Sequence, residues 1–227
     1  LASTHVAISP LSVSALEPTD AMEKGSLPFS EPLKRADLYF PPKADSDAQV
    51  DVVLLFLPGR NKHEPDLLDR SEWQAFAAEN QIGLCVASFA EGKSWSLENT
   101  YSVADNGTGE QLLSAIEERY GNPEIKLLVY GYSAGARWAS TIAEYAPERV
   151  VAWCGQAVGK WIAPKPNVLD PPPGIIACGE WDGGGFQPSY SHFLAGRRLN
   201  RPWNWISLAE TGHSKSKVLD SFVRAFF

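Results

Sequence analysis

The chain has 227 residues, of which 44% are hydrophobic and 21% charged, and its 20 basic and 27 acidic side chains give a formal net charge of −7. This hydrophobic content excludes an intrinsically disordered chain, and no apolar run approaches the roughly 18 residues of a membrane span. An acidic chain also disfavours duplex nucleic acid as a partner. Without a repeat of fixed period, the length predicts one domain.

The first residues carry weak periodicity and several prolines. We interpret residues 1–34 as an N-terminal extension or edge strand, with a first strand between Ala7 and Leu16, and residues 35–227 as a single domain. The Ala/Ser/Thr/Pro-rich residues 1–18 are typical of the start of a mature exported protein. We therefore expect a secreted or periplasmic protein, and a cytoplasmic location stays open.

Apolar runs alternate with amphipathic stretches along the rest of the chain. Strands are predicted at residues 35–40, 50–57, 82–87, 125–130, 150–154, 174–178 and 203–208. Helices are predicted at residues 67–80, 108–120, 134–145, 187–199 and 216–227. The first helix has two candidate caps, Asp66 or, one turn later, Ser71 with Gln74 three residues on. This alternation predicts an α/β fold with a mostly parallel sheet.

Three cysteines are too few for a disulfide framework. Cys85, Cys154 and Cys178 each lie in or at the end of an apolar run, so buried thiols are expected. A bridge between Cys154 and Cys178 stays open if their strands are neighbours. No paired Cys or His spacing indicates a zinc site.

The segment from Gly131 to Gly135 has the pattern G-x-S-x-G between a predicted strand and a predicted helix. That context is the one a nucleophile elbow requires, because small residues must flank a serine on so sharp a turn. The helix N-terminus would favour negative charge developing at Ser133. An ordinary glycine-rich turn is the alternative interpretation.

A serine needs a base, and the base needs a group that orients it. Of the four histidines, His213 follows the last predicted strand and can reach over the carboxyl edge of the sheet. Asp182 follows the strand at 174–178 and is the predicted third member, with Glu180 as its competitor. The chain order Ser133, Asp182, His213 is that of an α/β-hydrolase.

Acyl transfer also needs donors for a tetrahedral oxyanion. The backbone N–H of Ala134, directly after the serine, is one candidate. The loop after the strand at 50–57 offers the N–H of Arg60, or next that of Asn61, because Pro58 has no N–H to donate.

Loops at the same edge would shape the substrate site. Four aromatic residues there are candidates for substrate binding, although each could simply pack: Trp95, Tyr101, Trp161 and Trp181. Arg137 could bind a substrate carboxylate, but pairing with an internal acid is favoured. Residues 155–173 are too few for an inserted lid, which predicts an open site.

The chain resembles the α/β-hydrolase superfamily from about residue 35 onwards. Within it, LLFLPG, SEWQAFAAENQIGLCVASF, EERYGNPEIKLLVYGYSAGARWASTIAEYAPERV and IIACGEWD resemble the small polyhydroxybutyrate-depolymerase and feruloyl-esterase-like serine esterases. That group has His-Gly where this chain has Pro58-Gly59. The resemblance implies a serine hydrolase of carboxylic esters, small or polymer-attached, that uses neither metal nor organic cofactor. A serine peptidase of the same fold and a catalytically silent binding protein are the alternatives, and the oligomeric state stays open.

Overall fold

The structure is a computed structural model that describes residues 22–28, 33–41, 49–91, 96–97 and 99–227. Its strands are β1 (Glu23–Pro28), β2 (Leu33–Phe40), β3 (Val52–Leu57), β4 (Gly83–Glu91), β5 (Lys126–Tyr132), β6 (Val150–Gln156), β7 (Gly174–Gly179) and β8 (Trp203–Leu208). Its helices are α1 (Ser71–Asn80), α2 (Thr108–Tyr120), α3 (Ala134–Tyr145), α4 (Phe186–Arg198) and α5 (Lys217–Phe226). Within the described residues, no helix is both long enough and apolar enough to cross a membrane. The strand predicted between Ala7 and Leu16 lies outside these residues.

The described strands form one sheet in the order β1-β2-β4-β3-β5-β6-β7-β8. From β4 to β8 all neighbours are parallel, as the alternation of strands and helices predicts. The chain places β4 on one side of β3 and then crosses to β5 on the other. The crevice between the carboxyl ends of β3 and β5 is therefore a topological switch point, where open α/β sheets bind ligands.

The amino-terminal edge of the sheet is an antiparallel hairpin. β1 pairs with β2 from Glu23 opposite Phe40 to Pro28 opposite Arg35. β2 in turn pairs antiparallel with β4. β1 is thus an edge strand within residues 1–34. β2 begins at Leu33, so it spans the domain boundary that the sequence analysis places between residues 34 and 35.

Helices cover both faces of the sheet, and β3 shows why the sequence requires this. Val53, Leu55 and Leu57 belong to the apolar core on the face that carries α2 and α3. Leu54 and Phe56 belong to the core on the opposite face, which carries α1 and α5. A strand buried on both faces reads as a continuous apolar run, as this one does.

The first helix begins later than the earlier of its two predicted starts. Residues Pro65–Asp69 form a 3-10 turn, and α1 begins at Ser71 with Arg70 in the capping position and no side-chain cap. Neither Asp66 nor Ser71 is the cap. The Arg70 guanidinium instead binds Asp220 of α5 at 2.6 Å, so a tertiary ion pair replaces the local capping signal.

β4 runs four residues beyond its predicted end at Ala87. Its antiparallel partner β2 continues the ladder as far as Leu33 opposite Glu91. The apolar pattern breaks at Ser88, which is nevertheless buried. Pairing with a strand distant in sequence therefore extends β4 where its own residues do not signal it.

All three cysteines are buried free thiols. Cys154 and Cys178 lie on the neighbouring strands β6 and β7, but Cys154 is opposite Ile175. The remaining three residues along β7 span about 10 Å, which exceeds the roughly 7 Å between Cα atoms that a disulfide can bridge. The bridge left open by the sequence does not form.

Candidate active site

The turn between β5 and α3 holds Ser133 in a strained backbone conformation, with φ 54° and ψ −117°. The Ser133 N–H donates to the Gln156 carbonyl at 2.8 Å. A Cβ on Gly131 would overlap the Gly135 carbonyl, and a Cβ on Gly135 would overlap the backbone of Leu57. The two glycines are therefore needed for the close approach of strand and helix, and the strain falls on the serine between them.

His213 and Asp182 come together at the carboxyl ends of β7 and β8. The His213 Nδ1 lies 2.7 Å from the Asp182 Oδ2, and the Gly185 N–H donates to Asp182 Oδ1 at 3.0 Å. The Asp182 side chain is buried, whereas that of His213 is half exposed. With Nδ1 directed at the carboxylate, Nε2 is the ring nitrogen that can accept a proton.

The competing carboxylate takes a different position. The Glu180 Oε1 accepts a hydrogen bond from the Ser207 hydroxyl at 2.9 Å on the exposed surface. Of the two acids that follow β7, Asp182 is the one that contacts His213.

Gln156, at the carboxyl end of β6, connects two segments of the site. One is the turn between β5 and α3 that holds Ser133 (the serine turn), and the other is the loop between β8 and α5 that holds His213 (the histidine loop). Its carbonyl accepts from the Ser133 N–H, and its Nε2 donates to the Ser214 carbonyl at 2.7 Å. The sequence reasoning missed this residue. A polar residue ending an apolar strand was the available signal.

The loop after β3 lies directly against the serine turn. A Cβ placed on Gly59 would be 3.5 Å from the Ser133 Cβ. The loop closes through the Lys62 N–H, which donates to the Gly59 carbonyl at 3.0 Å. Asn61, at φ 56°, accepts from the Glu91 N–H at 2.8 Å through its side chain, which fixes the loop to the end of β4.

Both predicted oxyanion donors border the same space as the serine. Ala134 is the first residue of α3, where an N–H has no acceptor within the helix. Arg60 is the central residue of the loop after β3, and it shares the cavity wall with Ala134 and Ser133. The two N–H groups thus belong to different elements that meet at the switch point.

These elements enclose a cavity of about 430 Å³. It is bordered by the serine turn, the loop after β3 and the histidine loop, through Gly59, Tyr132, Ser133, Ala134, Arg137 and His213 among others. Ser133 and His213 therefore open into one space. No group of three metal-ligating side chains occurs among the residues that the structure describes.

Tyr132 also borders this cavity, and the sequence reasoning did not single it out. Its ring lies 5.4 Å from that of His213, centroid to centroid. Burial, followed by the nearby Asp182 and Glu64 carboxylates, raises the pKa of Tyr132 to about 12. The phenol is therefore neutral at ordinary pH and can donate a hydrogen bond.

The predicted aromatic residues take other positions. Tyr101 is buried in the core and stacks on Phe89 at 4.5 Å. Trp161 stacks on His192 at 4.4 Å, and Trp181 is 69% exposed. Within the described part of the chain, none of these three borders the cavity.

Trp95 lies outside the described residues. The sequence predicted an aromatic wall made of loop residues. Among the tyrosines and tryptophans that the structure describes, Tyr132 is the one that borders this cavity.

Arg137 is buried one helical turn after the serine. Its Nε donates to the Lys160 carbonyl at 2.5 Å, and its Nη1 donates to the Ser102 hydroxyl at 2.8 Å. Burial lowers the pKa of Arg137, and the nearby Glu91 carboxylate opposes that shift. Glu91 is thus one internal acid that interacts electrostatically with Arg137, and Arg137 also borders the cavity.

Comparison with known proteins defines the fold. No family model and no curated protein matches the chain. Among solved structures, a ferulic acid esterase from Anaeromyces mucronatus is similar with a TM-score of 0.62 at 16% identity, over 93% of this chain and 91% of that one. An S-formylglutathione hydrolase from Agrobacterium tumefaciens is similar with a TM-score of 0.58 at 18% identity, over 92% and 93% of the two chains.

A third similar structure is a fluorophosphonate-binding serine hydrolase from Staphylococcus aureus. Its TM-score is 0.58 at 13% identity, over 90% of this chain and 96% of that one. At such identities the similarity concerns the fold alone. In each of the three comparisons it covers more than 90% of the other chain.

Proposed function

We propose that this chain, which has the α/β-hydrolase fold, is a serine hydrolase of carboxylic esters. One observation carries the proposal: Ser133, strained at its turn, opens into the same cavity as His213, whose Nδ1 lies 2.7 Å from the buried Asp182. A nucleophile, a base and a group that orients the base are the parts that acyl transfer requires. The esterases and serine hydrolases among its structural neighbours add support.

In the first half-reaction, the Ser133 Oγ attacks the ester carbonyl carbon while His213 Nε2 takes the hydroxyl proton. Asp182 stabilises the resulting imidazolium through Nδ1. The carbonyl oxygen becomes an oxyanion, which the N–H groups of Ala134 and Arg60 bind. Collapse breaks the bond to the alcohol oxygen, and His213 returns its proton to the leaving alcohol.

In the second half-reaction, water attacks the acyl-serine. His213 takes one proton from the water, the same two N–H groups bind the second oxyanion, and the acid leaves as Ser133 regains its proton. The net reaction adds one water across the ester bond. No step requires a metal or an organic cofactor.

We further propose that the site is open to large substrates. Residues 157–173, between β6 and β7, contain no helix or strand in the described structure, so this connection does not form a lid domain. His213, which borders the cavity, is half exposed. An ester attached to a polymer could then reach Ser133 as well as a small ester.

The test combines a covalent probe with turnover. A fluorophosphonate should label the intact protein at Ser133, and 4-nitrophenyl butyrate should be hydrolysed. In the Ser133→Ala variant both signals should disappear, because the variant lacks the attacking oxygen. Peptide anilides are measured in parallel, since their cleavage would identify a peptidase.

A matched control removes a serine hydroxyl outside the candidate active site. Ser114 is exposed on α2, so Ser114→Ala should keep both labelling and turnover. Full turnover by Ser133→Ala, or a protein that neither reacts with the probe nor hydrolyses any ester, would contradict the proposal. The latter result would favour a binding protein that keeps the fold.

A further inference from the structure

The loop after β3 and the histidine loop come from opposite sides of the strand that precedes Ser133. The sheet order places β3 on one side of β5 and β8 on the other. The loop after β3 ends at Glu64, directly before the 3-10 turn that begins at Pro65. The histidine loop includes Lys215, two residues after His213. A contact between Glu64 and Lys215 therefore spans the strand end that leads into Ser133.

An ion pair makes this contact. The Lys215 ammonium donates a hydrogen bond to the Glu64 carboxylate. The two side chains are 37% and 28% exposed, so the pair is partly shielded from water and from salt. The two residues are 151 positions apart in the chain. The pair therefore fixes one loop relative to another and does not merely close a local turn.

The ring of Tyr132 lies between the two loops. The Lys215 Nζ is 5.7 Å from the centroid of this ring. On the side of the loop after β3, a Cβ placed on Gly59 would be 3.5 Å from the Tyr132 Cδ1. The ring is also 5.4 Å from that of His213, centroid to centroid. A rigid ring thus limits how closely the loops can approach, while the ion pair opposes their separation.

Two other connections attach the histidine loop to the strands on its own side of β5. The Thr211 carbonyl accepts from the Trp181 N–H at 2.9 Å, just after β7. The Ser214 carbonyl accepts from the Gln156 Nε2 at 2.7 Å, at the end of β6. The ion pair with the loop after β3 adds a connection on the opposite side of β5. The histidine loop is therefore held from two directions.

We infer that Glu64 and Lys215 are positioning residues, whose ion pair keeps His213 where it can take the proton of Ser133. The inference rests on the proposed ester hydrolysis. Neither Glu64 nor Lys215 is among the described residues that border the cavity, so the pair acts through the two loops. Small displacements of a reacting group cost much catalysis, whereas a partly exposed ion pair adds little to stability. The loss of the pair should therefore appear in kcat.

A double-mutant cycle tests the pair with 4-nitrophenyl butyrate as substrate. Glu64→Gln and Lys215→Met should each lower kcat by roughly two- to fivefold, the share that a partly exposed ion pair can contribute. KM should change little, because neither side chain borders the cavity. The variant with both substitutions should lose no more than either single variant, since both break one interaction. Turnover is counted per serine labelled by the fluorophosphonate, which leaves unfolded protein out of the comparison.

A pH profile separates positioning from a simple effect of charge on the base. If the two charges acted only through their fields, Glu64→Gln would lower the pKa of His213 and Lys215→Met would raise it. The acid limbs of kcat/KM would then move in opposite directions, and kcat on the plateau would stay unchanged. A loss of the pair lowers the plateau kcat in both variants. Salt at about 1 M should also lower kcat of the unsubstituted protein towards that of the variants.

Lys165→Met is the matched control. Lys165 forms an ion pair of similar exposure with Asp105, and neither residue is among those described at the border of the cavity. Its kcat and its response to salt should equal those of the unsubstituted protein.

Amide hydrogen exchange provides a readout that does not depend on turnover. Residues 209–216 should exchange faster in Glu64→Gln and in Lys215→Met than in Lys165→Met. Faster exchange in a protein that hydrolyses no ester would reject the esterase and keep the connection between the loops. Ester hydrolysis with unchanged kcat in both single variants, or with losses that add in the double variant, would reject the positioning role and keep the esterase.

Discussion

The carboxylate of Asp182 is almost completely removed from water, yet it is held by groups that favour its charge. It accepts the Gly185 N–H on one oxygen and faces the His213 Nδ1 on the other. A carboxylate with such partners imposes one tautomer on the imidazole. The geometry at this single residue therefore decides which ring nitrogen can act as a base.

Asp182→Asn should lower kcat by roughly 10⁴-fold while changing the fold little, because an amide can donate to Nδ1 and fix the wrong tautomer. The measurement is kcat for 4-nitrophenyl butyrate, together with circular dichroism as a check of the fold. Glu180→Gln is the matched control, since Glu180 contacts Ser207 on the exposed surface. A loss in Glu180→Gln as large as that in Asp182→Asn would show that the wrong acid was chosen.

Single residues differ in how far the sequence identifies them. Ser133, Asp182 and His213 each follow a strand in a parallel sheet, so strand-end reasoning alone brings them to one edge. Gln156 and Tyr132 lie at the same edge, but neither type of residue points to one chemistry. Both residues contact the histidine loop, which is distant from them in sequence. The residues around Gln156 and Tyr132 therefore carry no local pattern that predicts these contacts.

At the scale of elements, prediction succeeds where the burial pattern is local. α2, α3 and β8 have the predicted bounds, because an amphipathic or apolar pattern and a clear end signal coincide in each. α1 and β4 differ because a distant partner decides their limits: Asp220 binds the residue before α1, and β2 extends β4. The sequence predicts most of β2, as the strand at residues 35–40, but not the position of β1. An edge strand has few apolar residues, so the hydrophobic pattern identifies it poorly.

Gly135→Ala should destabilise the protein by roughly 2–3 kcal/mol, because the new methyl group would overlap the Leu57 backbone and separate α3 from the sheet. Turnover should fall as well, since the same turn positions Ser133. Chemical denaturation measures the first effect and kcat the second.

Gly183→Ala is the control for this substitution. A Cβ at Gly183 meets no atom within 4 Å, so its effect on stability should stay within about 0.5 kcal/mol. Equal losses in the two variants would mean that steric overlap at the elbow is not the cause.

At the scale of the whole molecule, a buried histidine connects α3, α4 and the last strand. His192 on α4 lies within 3.2 Å of the Ser140 hydroxyl of α3, and its ring lies 5.0 Å from that of Trp203 on β8. Burial lowers the pKa of His192 to about 3 from an ordinary 6.5. This histidine is therefore neutral in the folded protein over the whole physiological range.

Between pH 6.5 and about 3, the unfolded chain binds a proton at His192 that the folded protein excludes. The free energy of unfolding should thus decrease as pH falls, by up to about 1.4 kcal/mol per pH unit from this group alone. In His192→Gln the decrease should be shallower by that amount, whatever the cost of the substitution itself. Denaturant titrations at pH 7, 6, 5 and 4 measure the slope.

His63→Gln is the matched comparison, since His63 is exposed in the loop after β3. Comparing the two slopes separates the loss of the buried histidine from the loss of a histidine elsewhere in the chain. If His192→Gln and the unsubstituted protein lose stability in parallel on acidification, His192 does not exclude a proton in the folded state.

α3 is buried along every residue from Ala134 to Glu144, with only Tyr145 exposed. Beyond its first turn, which borders the cavity beside Ser133, this helix has no solvent face through which water could reach its amide hydrogens while the sheet stays intact. Exchange of those hydrogens would then require opening of the whole molecule. Local fluctuation can open the surrounding loops, but the part of α3 beyond its first turn would be among the last to lose its protection.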